Sequence, residues 1–126
     1  MKKLFAIAIA VFWSNLTFAA STGIFEFEFE ELAPGVWAGV RPDSHRFPVM
    51  GNVTFVVSGE GVVVYDGGGM PAMAEQVIGK IRSITGAPVT HVIISHWHGD
   101  HNFGIHRFAE EFPNVQFVAQ RSHTPS

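Results

Sequence analysis

The chain of 126 residues is 47% apolar and 15% charged, with a formal net charge of −3, which places it among folded globular domains and not among disordered segments. Its eight Lys and Arg are scattered, with no run longer than Lys2-Lys3, so no basic patch invites nucleic acid as a partner. Cysteine is absent, which removes disulfides, thiolate ligands and a thiol nucleophile.

Residues 1–20, MKKLFAIAIAVFWSNLTFAA, join a positive start, an apolar run from Leu4 to Trp13 and a small-residue end. This is the three-part layout of a secretory signal peptide, and cleavage after Ala19 would leave Thr17 and Ala19 at the two positions that must be small. The apolar run is about half of the ~20 residues a bilayer span needs. The expectation is therefore a mature domain over residues 21–126, exported to the periplasm or the medium without a stable membrane anchor.

Residues 24–30, IFEFEFE, alternate with period two and predict a strand that turns Phe25, Phe27 and Phe29 toward a core. Pro34-Gly35 makes a turn before a second strand over residues 36–40, and residues 41–51, RPDSHRFPVMG, read as a loop in which His45 is a candidate for lining a pocket. Residues 52–58 and 61–65, separated by Gly59-Glu60, form a predicted hairpin. Asp66-Gly67-Gly68-Gly69 follows; with no Lys-Ser or Lys-Thr after it, the glycines are a tight strand-to-helix turn and not a phosphate cradle. Met73, Val77, Ile78, Ile81 and Ile84 then recur at three-and-four spacing, which predicts a helix over residues 71–85 with Pro71 in its first turn and Gly86 as its stop.

Residues 89–95, VTHVIIS, are short, β-branched and nearly continuously apolar, as in a strand buried on both faces. His91 within it is expected to be a hydrogen-bonded core or interface residue. A short helix over residues 103–112, with His106 on its surface, and a strand over residues 115–119 complete the order. No internal repeat, linker or low-complexity segment interrupts it, so the reading is one α/β domain.

The chemistry is concentrated in residues 95–104, SHWHGDHNFG, at the carboxyl end of the apolar strand, where sites on α/β sheets sit. Residues two apart in an extended segment point the same way, so His96 and His98 present two imidazoles to one ion while Trp97 turns elsewhere. Gly99 lets the chain bend, so that Asp100 and His101 face a second, neighbouring ion. Nitrogen and carboxylate donors suit zinc, with iron and manganese as alternatives. Two ions about 3.5–4 Å apart activate water and polarise a carbonyl or phosphoryl oxygen, the basis of metal-assisted hydrolysis.

The H-x-H-x-D-H pattern of His96, His98, Asp100 and His101 resembles the metallo-β-lactamase superfamily. The order of strands, Tyr65-Asp66-Gly67-Gly68, helix, VTHVIIS and SHWHGDHNFG extends that resemblance over roughly residues 31–119. It implies the amino-terminal half of an αββα sandwich of the α/β (α+β) class. It places His96 and His98 on the first metal, Asp100 and His101 on the second, Asp66 in the shell behind them, and two Zn2+ in the complete site. The implied activity is a metal-dependent hydrolase in which a metal-bound hydroxide attacks an ester, amide-like or phosphoester small molecule, with Asp100 also a catalytic proton acceptor. β-Lactams, thioesters, lactones and sulfate esters are all handled on this fold, and no residue here selects among them.

In that family three further ligands come from the carboxyl-terminal half, whereas this sequence supplies two per metal before Ser126. The alternative expectation is a truncated, non-catalytic metal-binding fragment, for which a second chain would complete the site. A mononuclear iron oxidoreductase shares the motif in some branches. His123 lies 22 positions after His101, sooner than the family's third histidine, and reads as part of a frayed terminus. Asn52-Val53-Thr54 has the form of a glycosylation acceptor but falls in a predicted strand and is set aside.

Overall fold

The computed structural model describes residues 25–41 and 50–121. The signal peptide expected over residues 1–20, the loop residues around His45, and His123 lie outside the described residues. The described chain runs β1 (Glu28–Ala33), β2 (Val36–Val40), β3 (Val53–Ser58), β4 (Gly61–Tyr65), α1 (Pro71–Ile84), β5 (Val89–Ile94), α2 (Gly99–Asn102), α3 (His106–Glu111) and β6 (Gln116–Ala119). The strands form one sheet in sequence order. Strands β1 to β4 pair antiparallel, and β4–β5 and β5–β6 pair parallel. Among the described residues no helix is long and apolar enough to cross a membrane.

Parallel strands need crossovers, and two successive right-handed crossovers in one direction place their helices on the same sheet face. That is where the core lies. Met73, Ala74, Val77, Ile78 and Ile81 of α1 pack with Phe108 of α3 against Val53, Phe55, Val62, Val64, Val89 and Val92. Each of the larger side chains among them contributes about 1.5–3 kcal/mol by leaving water. The two helices are also tied by charge: Arg107 Nε lies 3.1 Å from Glu75 Oε1, and Arg82 pairs with Glu111. The neighbouring Glu110 carboxylate, hydrogen-bonded to the Arg107 guanidinium, holds that group above its ordinary range, so it is charged wherever the protein folds.

The predicted hairpin, helix α1 and the strands after it are present, with four differences. Strand β1 starts at Glu28 and runs on to Ala33, because residues 25–27 bond to a helix side chain instead of to β2. Phe27 N–H donates to Gln76 Oε1 at 2.9 Å, and Gln76 Nε2 donates to the Phe25 carbonyl at 3.1 Å. Phe27 is nonetheless buried, with Phe25 and Phe29 packed beside it, so the apolar face was read correctly. Helix α1 ends at an extended Thr85, whose N–H reaches Ile81 O and whose Oγ1 accepts from Ala87 N–H, and Gly86 is not its stop.

Strand β5 is buried on one face only, with Val89 and Val92 inside and Thr90, His91, Ile93 and Ile94 half-buried. Helices cover one side of the sheet; by the strand register the other side presents Val40, Val56, Tyr65, His91, Ile93 and Val118. His91 therefore sits half-buried on that second face and not in the helix-covered core, and it is hydrogen-bonded, with Nδ1 3.1 Å from Thr90 Oγ1. The helix expected over residues 103–112 is shorter and follows a separate one-turn helix, α2; α3 starts only at His106, after a turn over residues 103–105. There Gly104 N–H donates to Gly68 O at 2.9 Å, and a Cβ on Gly104 would lie 2.3 Å from Gly67 O. His106, the first residue of α3, is exposed as expected.

Candidate metal centre

The glycine turn after β4 and the loop after β5 meet at the carboxyl ends of the two parallel strands. Gly67 N–H donates to His101 O at 2.8 Å, and Gly104 closes the same contact from the other side. A side chain on Gly67 would come within 2.5 Å of Ile105 Cγ2, so the turn is glycine-rich in order to let two backbones touch.

Asp66 opens that turn at φ 67, a left-handed conformation that Asp adopts more readily than most residues, with its N–H donating to Ile93 O at 2.8 Å. It is 3% exposed. Its carboxylate gathers three donors: Ser95 N–H on Oδ1 at 2.8 Å, and Ser95 Oγ and His101 Nδ1 on Oδ2, each at 2.8 Å. The resemblance placed Asp66 behind the ligands, and its side chain lies there, against His101.

The four ligand candidates come together above it. His96 and His98 present Nε2 and Nδ1 to one another at 3.0 Å, with ring centroids 4.6 Å apart. The His96 ring lies 4.2 Å from that of His101, and His101 Nε2 lies 3.3 Å from Asp100 Oδ2. His96 and His98 are exposed, whereas Asp100 and His101 are half-buried. Trp97 is 83% exposed, as the alternation required, yet its ring stands edge-on to His98 at 4.5 Å. A cleft of about 460 Å³ opens beside His96 and Trp97, lined also by Ile94, Ala119 and Arg121.

Among the described residues, no group of three or more His, Asp or Glu side chains is arranged to hold an ion. What converges is a pair of nitrogens. Bonds of about 2.0–2.1 Å to tetrahedral zinc set two ligand nitrogens roughly 3.3 Å apart, so the 3.0 Å between His96 Nε2 and His98 Nδ1 fits two corners of such a shell. The donor chemistry fits the group; the described residues bring half of its shell.

Two contributors had not been singled out in the sequence. Ser95 joins Asp66 to His96, its Oγ lying 2.8 Å from His96 Nδ1. Gly51 backs the site: a Cβ there would lie 2.8 Å from the His101 ring and 2.9 Å from Asp100 O. A hydroxyl ahead of the first histidine was a visible signal for Ser95, but its partner stands 29 residues away. Nothing local marks Gly51.

The family model for the metallo-beta-lactamase superfamily matches residues 46–126. The lactamase-like protein notP of Aspergillus sp. (strain MF297-2) is 33% identical over 104 residues, covering 79% of this chain and 32% of that protein. An atrochrysone carboxyl ACP thioesterase of Aspergillus terreus (strain NIH 2624 / FGSC A1156) is 26% identical over 90 residues, covering 70% of this chain and 28% of that protein. The chain thus spans about a third of the length of the curated relatives it matches. Among solved structures, a metallo-beta-lactamase from Erythrobacter litoralis superposes with a TM-score of 0.60 at 24% identity, over 73% of this chain and 40% of that one. The mono-zinc form of FIM-1 from Pseudomonas aeruginosa gives 0.62 at 17% identity, over 75% and 42%. These likenesses match the six-stranded α+β arrangement to the fold of metallo-beta-lactamases.

Proposed function

Since the chain belongs to the metallo-beta-lactamase superfamily, a family of hydrolases, we propose that it carries the amino-terminal half of the metal site of a metal-dependent hydrolase. One observation carries this reading: the buried Asp66 carboxylate holds Ser95 and His101 of the loop after β5, and in that loop His96 Nε2 and His98 Nδ1 converge to 3.0 Å beside an open cleft. His96 Nε2 and His98 Nδ1 would hold one ion, and Asp100 and His101 a second. Zinc suits these donors best, and they also accept iron or manganese. A divalent ion bound there supplies Lewis acidity, polarising an acyl or phosphoryl oxygen and activating water near neutral pH.

The protein's own groups would do the rest. Asp100, whose side chain is 17% exposed, would accept a proton from water. Trp97 and the apolar floor of the cleft would seat the organic part of a small-molecule ester, amide-like compound or phosphoester. The curated relatives named as acyl-carrier-protein thioesterases favour a thioester among these. Catalytic zinc sites usually take three protein ligands, so the remaining ones would come from the rest of the folded protein or from a second chain. The proposed setting is outside the cytoplasm, from the signal-like start.

A second reading is metal binding without turnover, and it is favoured by the convergence of two nitrogens only. Elemental analysis of the purified chain with zinc, run beside His96→Ala/His98→Ala, separates the two when paired with assays on an aryl thioester and a β-lactam. About two ions per chain with turnover supports the hydrolase. Less than one ion, readily stripped and without turnover, supports the fragment.

A further inference from the structure

We infer that Ser95 is a positioning residue whose hydroxyl relays the buried Asp66 carboxylate to His96 and fixes which ring nitrogen of His96 carries the proton. The inference deepens the metal-site reading and rests on it for its consequence, though not for its geometry. As a carboxylate, Asp66 can only accept hydrogen bonds. Ser95 Oγ lies 2.8 Å from Asp66 Oδ2, so its single hydrogen goes to the carboxylate. The hydroxyl oxygen is left with lone pairs alone, and the ring nitrogen 2.8 Å away, His96 Nδ1, must donate to it.

A neutral His96 is then protonated on Nδ1 and bare on Nε2. That bare nitrogen is the one directed at His98, 3.0 Å away, where a cation would sit. Asp66 acts on the second histidine without a relay: Oδ2 accepts directly from His101 Nδ1 at 2.8 Å, leaving His101 Nε2 as the nitrogen on the side of Asp100. One carboxylate therefore sets two imidazoles, through a hydroxyl for one and by contact for the other. Ligating histidines ordinarily have their second nitrogen held by such a partner, whose loss costs about 10–100-fold in metal affinity. Ser95 is itself pinned, since its own N–H donates to Asp66 Oδ1 at 2.8 Å.

A merely structural Ser95 would act through that backbone bond, which Ser95→Ala keeps. The variant removes only the relay, and Ser95→Thr restores it. Nitrogen-15 NMR on the metal-free chain reads the tautomer of His96 directly, and competition with a chromophoric chelator reads zinc affinity. The expected results are Nδ1–H at His96 in the wild type and in Ser95→Thr, and a shift toward Nε2–H in Ser95→Ala. Zinc affinity should fall about 10–100-fold in Ser95→Ala alone. A wild-type His96 protonated on Nε2 overturns the relay without any variant, and so does a Ser95→Ala chain whose His96 keeps Nδ1–H. If the tautomer shifts but no chain binds zinc, the relay stands and the metal-site reading falls.

Discussion

Gly51 has no room for a side chain, because the position its Cβ would take lies 2.8 Å from both Cε1 and Nδ1 of His101. Gly51→Ala should push that ring off Asp66 while leaving the core intact. The expected outcome is at least a tenfold loss of zinc affinity by chelator competition, with a stability loss of about 1–3 kcal/mol by urea unfolding. Asp66→Ala acts more broadly. It leaves Ser95 N–H, Ser95 Oγ and His101 Nδ1 without their acceptor in a half-buried site. A buried group stripped of its partner costs about 1–3 kcal/mol, so the variant should lose roughly 3 kcal/mol or more and bind no zinc tightly. Unchanged stability would mean that the carboxylate does not organise the loop.

Among the elements, α3 and the glycine turn decide where the ligand loop sits. Phe108 is wholly buried under α1, and Phe108→Ala should cost about 3–5 kcal/mol, read as a lower urea midpoint at constant slope. Gly104→Ala brings a Cβ within 2.3 Å of Gly67 O and 2.8 Å of Met70 O, both backbone atoms that cannot rotate away. It should be as damaging as the core truncation although nothing apolar is removed. The hydrophobic spacing showed α1 and the β3–β4 hairpin because both obey local periods. It did not show that α3 starts as late as His106: Phe103 to Phe112 has a helical composition, but Gly104 is held in the preceding turn by its contact with Gly67 and Gly68.

At the scale of the molecule, the described residues place their helices on one face of the sheet and an apolar stripe on the other. Val56 is 42% exposed, Tyr65 46% and Val118 46%. A surface of this kind binds other apolar surfaces. The chain should enhance the fluorescence of a hydrophobic dye in its folded state, and Val56→Lys with Val118→Lys should reduce that signal without lowering the melting temperature. Zinc should act oppositely on stability: an ion bound only by the folded state at about 100 times its dissociation constant adds about 2.7 kcal/mol, removable by chelator. No rise in melting temperature with zinc would count against the site.

What the sequence by itself determined is whatever short-range pattern encodes: the strands and α1 from their periods, and the superfamily through the H-x-H-x-D-H pattern that names the ligand candidates. The tertiary structure alone decided how that pattern is used. Asp66 reaches Ser95 and His101 across 29 and 35 residues, and no period or motif records an encounter at that separation. The same holds for β5, whose apolar run reads as buried on both sides although among the described residues the helices cover one. Hydropathy states what a residue prefers to contact; the folded chain alone states what it meets.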